Sequence, residues 1–351
     1  MLFPTVSDHY PTVTLRDRLH ERVEQTRSDA VLVFWDPDGL AATYGLKGIK
    51  KAAYYGMPDY MAGEARFADP ELFGIPHQTL METIRLRAAR RLIAQRKAYH
   101  FDLINDCDAV GNICAFHATL YREQGHPHSY YIPNMWPDTP HAAWREEREA
   151  AERTSSLKML GTLGDAVATG NTYGLYYMGK EILPRLDRRL GNTFEVHLYG
   201  KGEPYPLVAR ALEHPSVRRR GWVQDLDAEI LSCKVFLMMN NTGTYKGSHT
   251  RFFHAWSLGS CVVAHKINAQ AIPEIRHMEN ALLGETPEEI TELIVMALRD
   301  ERLRRRIGEG GRQTYEASFK PAVVVPHLLE RLLGHGAGQS NALHAGKGGE
   351  V

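Results

Sequence analysis

The spacing of apolar and polar residues predicts strands that alternate with helices along most of the chain. Apolar runs of strand length occur at 30–35, 52–55, 101–104, 129–132, 158–161, 194–199, 235–239 and 261–264. Segments with apolar residues at helical intervals lie between and after these runs, at 15–25, 79–100, 110–123, 173–189, 225–232, 250–258, 287–299, 300–308 and 322–333. Strands that alternate with helices indicate an α/β protein with parallel, doubly wound sheets.

Two domains are predicted, because 351 residues exceed what one typical core requires. Residues 133–140 contain three prolines, which can continue neither a helix nor a central strand, so we place the junction there. The predicted domains are 1–140 and 141–335, followed by a disordered tail at 336–351 that is rich in Gly, Ala and His. Only four strand signals precede the junction, so the amino-terminal domain is predicted to be reduced.

Two segments of the first domain are predicted to be irregular. Asp36-Pro37-Asp38-Gly39 is a strong turn signal after the first strand. Residues 61–77 are interrupted by Pro and Gly, which predicts a loop.

Amino-acid composition gives evidence about binding partners, disulfide bonds and location. The 42 basic residues balance 42 acidic ones, so net charge gives no reason to expect a nucleic-acid partner. The four cysteines form no CxxC pair, which fits a reducing compartment without disulfides. No apolar run approaches the length of a transmembrane helix, and the first residues do not begin a signal peptide. The predicted location is the cytoplasm.

The segment 235–274 is the most informative part of the chain. A buried-strand signal is followed by the polar loop 240–249 and then by a short helix, which Ser248 or Thr250 is placed to cap and Gly259 to end. With the next strand, these elements form one βαβ unit. Its loop lies at a helix N-terminus, where backbone N–H groups and the helix dipole favour an anion.

The charges of this segment also favour an anion site. No Asp or Glu occurs from 230 to 273, whereas the segment carries basic residues and histidines: Lys234, Lys246, Arg251, Lys266, His249, His254 and His265. Arg251 lies in the first helical turn, where a phosphate or diphosphate would bind. An ordinary buried βαβ unit also contains few charges, so that alternative stays open at this point.

Seven motifs follow one another in the second half of the chain: Gly200-Lys201-Gly202-Glu203, Gly221-Trp222-Val223 with Asp225-Leu226, Gly247 to Gly259, Cys261-Val262-Val263, Ile272-Pro273-Glu274-Ile275, Glu279-Asn280 with Leu282-Leu283, and Glu288 to Asp300. In order and spacing they resemble the nucleotide-sugar-binding half of GT-B glycosyltransferases, in particular glycosyltransferase family 4, the group 1 glycosyl transferases. The resemblance covers roughly residues 100–333. It implies a GT-B fold, with two doubly wound Rossmann-like domains.

The resemblance implies a role for each matching residue. The backbone of Gly221, Trp222 and Val223 would lie beside the nucleotide base, and Gly247 would meet the donor diphosphate. Arg251 stands where the family often has a phosphate-binding cation, and a catalytic role is assigned to it. The other positions assigned to the donor site are Lys246, His249, Thr250, His254 and Glu274.

Two departures from the family are visible. Lys246 and His254 stand where the family has the two Glu residues of its E-x7-E motif, so both carboxylates are missing. The first domain also lacks the glycine-rich loop that the family places near the acceptor. Asp59, after Tyr55-Gly56-Met57-Pro58, is assigned a catalytic, acceptor-contacting role, with a turn-forming Asp as the alternative.

The function that follows is transfer of a sugar, of the hexosyltransferase type, from a nucleotide-sugar donor to a glycan or lipid-linked acceptor, as in polysaccharide biosynthesis. Arg251, the helix N-terminus and Lys246 would stabilise the departing diphosphate, so no metal and no cofactor are predicted. A GT-B-fold nucleotide-sugar epimerase and a non-catalytic nucleotide-binding relative stay open as alternatives. A Rossmann dehydrogenase is disfavoured, since no GxGxxG follows a first strand.

A basic helix in the first domain is the last notable feature. Between 84 and 98 it carries five Arg and one Lys and no acid, and Ile84, Ala88 and Leu92 share one face. Such a helix is typical of enzymes that contact a membrane peripherally. It is also typical of the solvated outer face of a doubly wound domain, and both interpretations stay open.

Overall fold

The structure, a computed structural model, describes residues 13–243 and 245–334. The predicted tail at 336–351 lies outside the described residues. The chain forms two compact units that are interleaved in sequence. Within the described chain, the first unit contains the stretches 13–56, 98–133 and 321–334, and the second contains 57–97 and 134–320.

Strands and helices alternate over the described residues, in agreement with the predicted α/β class. The strands are β1 (Ala30–Phe34), β2 (Lys50–Tyr55), β3 (Ala109–Asn112), β4 (Ser129–Tyr131), β5 (Leu157–Leu163), β6 (Phe194–Tyr199), β7 (Val217–Gly221), β8 (Val235–Met238), β9 (Val262–His265) and β10 (Leu282–Gly284). The helices are α1 (Val13–Thr26), α2 (Pro37–Thr43), α3 (Asp59–Ala68), α4 (Leu80–Asn105), α5 (Ala115–Glu123), α6 (Trp144–Glu152), α7 (Thr169–Tyr177), α8 (Leu183–Leu190), α9 (Pro206–Ala211), α10 (Leu226–Leu231), α11 (Arg251–Ser257), α12 (Asn268–Ala271), α13 (Pro287–Arg299), α14 (Glu301–Ser318) and α15 (Pro321–Leu333). Among the described helices, none combines the length and apolar character that a membrane crossing requires.

The first unit is built on a parallel sheet in the order β1-β2-β3-β4. Its strands β2 and β3 are almost entirely buried, as expected for parallel strands covered by helices. Helix α15 packs on both of them. An ideal Cβ at Gly111 would lie 2.8 Å from Ile132 Cδ1 and 3.3 Å from Leu332 Cδ1, so the glycine permits this close packing.

Two predictions near the start of the chain are wrong. Residues 36–39 do not form an isolated turn, because the Asp36 carboxylate accepts the Asp38 N–H at 3.0 Å and caps α2. The helix begins with Pro37, whose missing N–H has no helical partner to lose at that position. Residues 61–77, predicted as loop, contain most of α3.

The third strand was also misplaced by the apolar pattern. Residues 101–104 lie inside α4, where Phe101, Leu103 and Ile104 are buried on one side of the helix. The third strand is β3, which occupies the beginning of the helix predicted at 110–123.

The second unit contains a parallel sheet in the order β10-β9-β8-β5-β6-β7. From β5 the chain proceeds outward to β6 and β7, returns to β8 on the other side of β5, and continues outward to β9 and β10. The strand order therefore reverses between β5 and β8. In open parallel sheets, ligands bind outside the carboxyl ends of the strands at such a point.

The single helix predicted at 173–189 is interrupted. It is observed as α7, a π-helical turn at Met178–Ile182, and α8. An ideal Cβ at Gly179, in this turn, would lie 2.4 Å from the Ala211 carbonyl oxygen. The absent side chain at Gly179 thus allows the turn to contact the end of α9.

A buried ionic cluster joins α6 to the rest of the second unit. Arg304 of α14 pairs with Glu152 of α6, and the two side chains are only 4% and 3% exposed. Arg304 also donates to two carbonyl groups of α13. Arg148 of α6 donates to the Cys233 carbonyl at 2.6 Å and to Ser260 Oγ at 2.5 Å. Arg304 and Glu152 therefore balance each other's charge, whereas Arg148 is held by neutral oxygen atoms.

Candidate anion-binding site

The candidate site lies at the carboxyl ends of β5 and β8, where the strand order reverses. The loop after β5 starts at Gly164, which has a φ of +94°, a conformation that favours glycine. An ideal Cβ at Gly164 would lie 3.7 Å from Arg251 Nη2. The loops after β5 and β8 therefore meet at the Arg251 guanidinium.

Arg251 is the first residue of α11, and its guanidinium is not satisfied by the protein. Its Nη1 is inaccessible to solvent and has no hydrogen-bond partner among the described residues. Burial lowers the pKa of Arg251 to about 10, which leaves the group charged at neutral pH. Arg251 as a whole is partly buried, but its inaccessible Nη1 is a cationic donor without a partner, which is unfavourable. The arrangement is therefore one in which a bound anion would supply the missing partner.

Asn241 holds the loop after β8 in shape. Its Oδ1 accepts the Gly247 N–H at 2.9 Å, and its Nδ2 donates to the Gly247 carbonyl at 2.8 Å. The same Oδ1 lies 3.1 Å from His249 Nε2. Asn241 has a φ of +69°, which asparagine tolerates better than most residues. Sequence reasoning missed Asn241, although an Asn directly after a buried strand is a turn signal.

His249 lies between the two loops. An ideal Cβ at Gly170, in α7, would be 3.0 Å from His249 Cε1. Burial and the neighbouring charge of Arg251 lower the pKa of His249 to about 3. The ring is therefore neutral at neutral pH, and it adds no charge to compete with Arg251.

The rest of the loop is polar and partly unsatisfied. Ser248 Oγ is buried without a hydrogen-bond partner in the described part of the chain, the second such group within four residues. Neither predicted cap forms, since Thr250 is the N-cap of α11 without a side-chain hydrogen bond. Burial lowers the pKa of Lys246. No cluster of three or more His, Cys, Asp or Glu suited to a metal ion is found among the described residues.

A cavity of about 460 Å³ lies at the carboxyl ends of β5, β6 and β7. Its lining includes Gly164, Lys201, Gly221 and Trp222. The Trp222 side chain is 80% exposed, and Val223 beside it is partly buried. Because Gly164 lines this cavity and also approaches Arg251, the cavity and the unsatisfied guanidinium share the loop after β5.

The His254 side chain contacts other side chains of the second unit. Its Nε2 lies 2.5 Å from Asp227 Oδ1, and its ring centre lies 5.0 Å from that of Trp136. The Thr139 hydroxyl donates to Asp227 Oδ2 at 2.8 Å. The hydrogen bond from His254 holds the pKa of Asp227 below its usual range. These four side chains line a second cavity of about 640 Å³, so a carboxylate is present beside position 254 although it comes from α10.

Two other predicted site residues, Glu274 and Asp59, do not lie in the loops after β5 and β8. Glu274 lines a third cavity of about 470 Å³, together with Arg306 and Glu309 of α14. Asp59 is the first residue of α3, and its side chain lies outside the described part of the structure. The donor and acceptor roles of these two residues stay predictions.

The buried ring of His249 predicts a pH-dependent stability. Because its pKa is lowered to about 3 in the folded state, the unfolded chain binds a proton below pH ~6.5 that the folded chain does not. The unfolding free energy should therefore fall as the pH falls from about 6.5 toward 3, by at most about 1.4 kcal/mol per pH unit from this group. Chemical denaturation at several pH values measures the slope.

His249→Gln keeps a polar partner for Asn241 and should make this slope shallower. His77→Gln, which changes an exposed histidine, is the matched control and should leave the slope unchanged. Equal slopes for the His249 variant and the wild type would contradict the prediction.

The part of the chain that carries the site is similar to a known family. Residues 158–300 match the family model described as glycosyl transferases group 1. Over this range the second unit is similar to the group 1 glycosyl transferases. The resemblance inferred from the motifs is thereby confirmed, and the match contains β5 to β10 with all of the loops described above. A comparison with curated protein sequences found no match.

Solved structures show the same fold around the group 1 domain. TarM from S. aureus is 14% identical with a TM-score of 0.62, over 89% of this chain and 57% of that one. Sucrose-phosphate synthase from Thermosynechococcus elongatus is 13% identical with a TM-score of 0.62, over 91% and 77%. HepE from Anabaena, solved with UDP and glucose, is 16% identical with a TM-score of 0.58, over 91% and 82%. These likenesses confirm the GT-B fold class, and the chain spans a little over half the length of TarM.

Proposed function

We propose that the protein transfers a sugar from a nucleotide-sugar donor to a glycan or lipid-linked acceptor, without a metal ion. The observation that supports this most strongly is the buried Arg251 Nη1, which has no partner in the described structure. It lies at the strand-order reversal of a group 1 glycosyl transferase domain, beside a cavity large enough for a nucleoside. The solved complexes of HepE with UDP-glucose and of TarM with UDP support this class of donor.

In this proposal the protein stabilises charge on the leaving group. When the bond from the sugar to the diphosphate breaks, negative charge grows on the departing phosphate oxygens. The Arg251 guanidinium can meet two of these oxygens with its planar fork. Lys246 and Ser248 belong to the same loop and would add a charge and a hydroxyl. Fixed donors aimed at growing charge are the largest contribution in many enzymes.

Asp227 would take over the role of one missing family carboxylate. Its side chain is held by His254 and Thr139 and lines the cavity of about 640 Å³. A carboxylate held in this way can accept hydrogen bonds from the two ribose hydroxyls. On this proposal the carboxylate expected at position 254 is supplied from α10 instead.

The proposal is tested with a panel of nucleoside diphosphates and their sugars. At least one diphosphate should raise the melting temperature, because a ligand that binds only the native state stabilises it by mass action. The matching nucleotide sugar should then release that diphosphate in the presence of an acceptor. Conversion of the sugar without release would favour an epimerase, and binding without turnover would favour a non-catalytic relative. If no diphosphate binds, the proposal is wrong.

Trp222 provides a second test. Its exposed ring stands at the mouth of the cavity, where a base could stack on it. Loss of one stacked base costs about 1 kcal/mol or more, roughly fivefold or more in Kd. Trp222→Ala should therefore weaken diphosphate binding at least that much in a calorimetric titration. Trp35→Ala, which removes another exposed tryptophan, is the control and should bind as the wild type does.

The cellular setting belongs to the same proposal. We place the protein in the cytoplasm, with peripheral contact to the membrane through the basic helix at 84–98. Asp59 remains the proposed acceptor-contacting residue. An acceptor that is anchored in a lipid surface would be reached most easily by an enzyme held at that surface.

A further inference from the structure

The exposed face of α4 carries large apolar side chains. Leu80 is 79% exposed, Met81 57%, Ile84 48% and Leu92 40%. The inward face of the helix consists of other residues, among them Leu86, Ala89 and Ile93, which are buried. The apolar stripe that the sequence placed at Ile84, Ala88 and Leu92 is therefore not the face that packs in the protein.

Arginines flank this exposed stripe. Arg85, Arg87 and Arg91 are exposed, and no ion pair or hydrogen bond of their side chains is found among the described residues. Other cations of α4 are engaged, since Arg90 donates to the Phe67 carbonyl and Lys97 pairs with Glu64. The helix contains no acid from 83 to 101, and Glu82 accepts the backbone N–H groups of residues 78 and 79.

Helical geometry places the two sets side by side. At 100° per residue, Leu80, Met81, Ile84 and Ala88 fall within about one quadrant of the helix surface. Arg91 falls inside this quadrant near one edge, Arg87 falls just outside the same edge, and Arg85 falls beyond the other edge. An apolar stripe bordered by arginines on an outward face is the arrangement of helices that lie in a bilayer interface.

We propose that the first three turns of α4, residues 80–92, bind the surface of an anionic lipid bilayer. Leu80, Met81 and Ile84 would enter the boundary between headgroups and acyl chains. Arg85, Arg87 and Arg91 would extend to the lipid phosphates, since long cationic side chains bury their stems and keep their charges in the polar layer. The bilayer would therefore contact the amino-terminal half of the basic helix and not its carboxy-terminal half.

The charges favour a bilayer over other partners. A second copy of this face would bring arginines against arginines, which repel one another. Single-stranded nucleic acid is bound by basic grooves with aromatic side chains for stacking, and none of the exposed apolar residues named for this face is aromatic. A bilayer offers an apolar layer for the exposed apolar stripe. It also offers anionic phosphates at the surface of that layer for the arginines beside the stripe.

Vesicle flotation of the full chain tests the proposal. The protein should float with vesicles of equal parts phosphatidylcholine and phosphatidylglycerol, much less with phosphatidylcholine alone, and less at high salt. Each arginine removed should weaken binding about fivefold, so R85E/R87E/R91E should remain with the unbound protein. Met81→Ser with Ile84→Ser should also reduce flotation, because it removes the inserted apolar groups.

A matched control separates specific contact from bulk charge. R188E/R210E/R302E changes three exposed arginines outside α4 and alters the net charge by the same amount. It should float as the wild type does. All of these variants should keep the melting-temperature shift given by a nucleoside diphosphate, so this inference and the proposed membrane contact can fail while the proposed sugar transfer stands.

The proposal would be overturned if R85E/R87E/R91E floats as the wild type does. It would also be overturned if the control R188E/R210E/R302E loses as much flotation as R85E/R87E/R91E. It would also be overturned by no binding to either vesicle. A dimer in solution that Ile84→Ser dissociates, or RNA binding that the triple arginine variant abolishes, would assign the face to those partners instead.

Discussion

Arg251→Ala is expected to lower the rate of sugar transfer by about 10²–10³, or roughly 3–4 kcal/mol, the usual effect of removing one electrostatic donor at a site of growing charge. The guanidinium lies at the strand-order reversal and has one nitrogen without a partner in the described structure. A group that acts on charge formed in the transition state affects turnover more than donor affinity. The measurement is kcat with the donor found by the panel, beside the Kd of that nucleotide sugar.

Although Arg251→Ala should lower the rate, it should not lower the melting temperature. An unsatisfied buried cation destabilises the free protein, so its removal should leave the melting temperature unchanged or raise it. Arg251→Lys restores charge without the planar fork and should recover only part of the rate. Arg189→Ala, which removes a half-exposed arginine paired with Glu292, is the control and should be fully active. A well-folded Arg251→Ala variant with the parent rate would remove Arg251 from the site.

Glu152→Ala is expected to cause the largest loss of stability, about 3–5 kcal/mol, because it leaves the charge of Arg304 buried without its carboxylate. Both side chains of this pair are nearly inaccessible, at 3% and 4% exposure. The remaining partners of Arg304 are carbonyl groups, which cannot balance its charge. Denaturant unfolding of the full chain measures the effect.

The chain supplies a matched control on the same pair of helices. Glu149 of α6 lies 3.8 Å from Arg305 of α14, with both side chains about half exposed. Exposed pairs of this kind contribute about 0–1 kcal/mol, so Glu149→Ala should be nearly neutral. The account of the buried cluster fails if the two alanine variants lose similar amounts of stability.

The elements around the site follow from the sequence because local and long-range preferences agree there. The runs at 235–239 and 261–264 are rich in β-branched and other apolar residues, and tertiary packing buries them as central strands β8 and β9. Gly259, with a φ of +60°, ends α11 as the pattern predicted. The acid-free segment contains the loop with the unsatisfied cation.

The wrong secondary-structure predictions in the first 133 residues arise where tertiary packing overrides local sequence preference. Ala109–Asn112 contains Gly and Asn, which are poor strand formers, yet it is buried as a central strand between β2 and β4. Gly63 and the nearby Gly and Pro suggested a loop, but an ideal Cβ at Gly63 would lie 2.4 Å from Ile93 Cδ1. The glycine permits α3 to pack closely on α4, and such a contact is not visible in sequence.

The site itself was only partly predictable for a similar reason. Gly164, Gly170 and Asn241 come from positions up to 77 residues apart, and no local pattern brings them together. The hydrogen bond between His254 and Asp227 is likewise a tertiary contact, so the sequence showed the missing carboxylate at 254 but not the one beside it. The sequence supplied candidate residues for the site, and the strand order determines which of them meet.

Calorimetric titration of the wild type and Arg251→Ala with a nucleoside diphosphate and with the same nucleoside lacking phosphates tests the central claim most directly. If Arg251 binds the diphosphate, the wild type should prefer the diphosphate, and Arg251→Ala should lose most of that preference while it binds the nucleoside as before. The comparison isolates the contact between cation and phosphate, because the base and ribose are the same in both ligands. An equal preference for the diphosphate in both proteins would contradict the account.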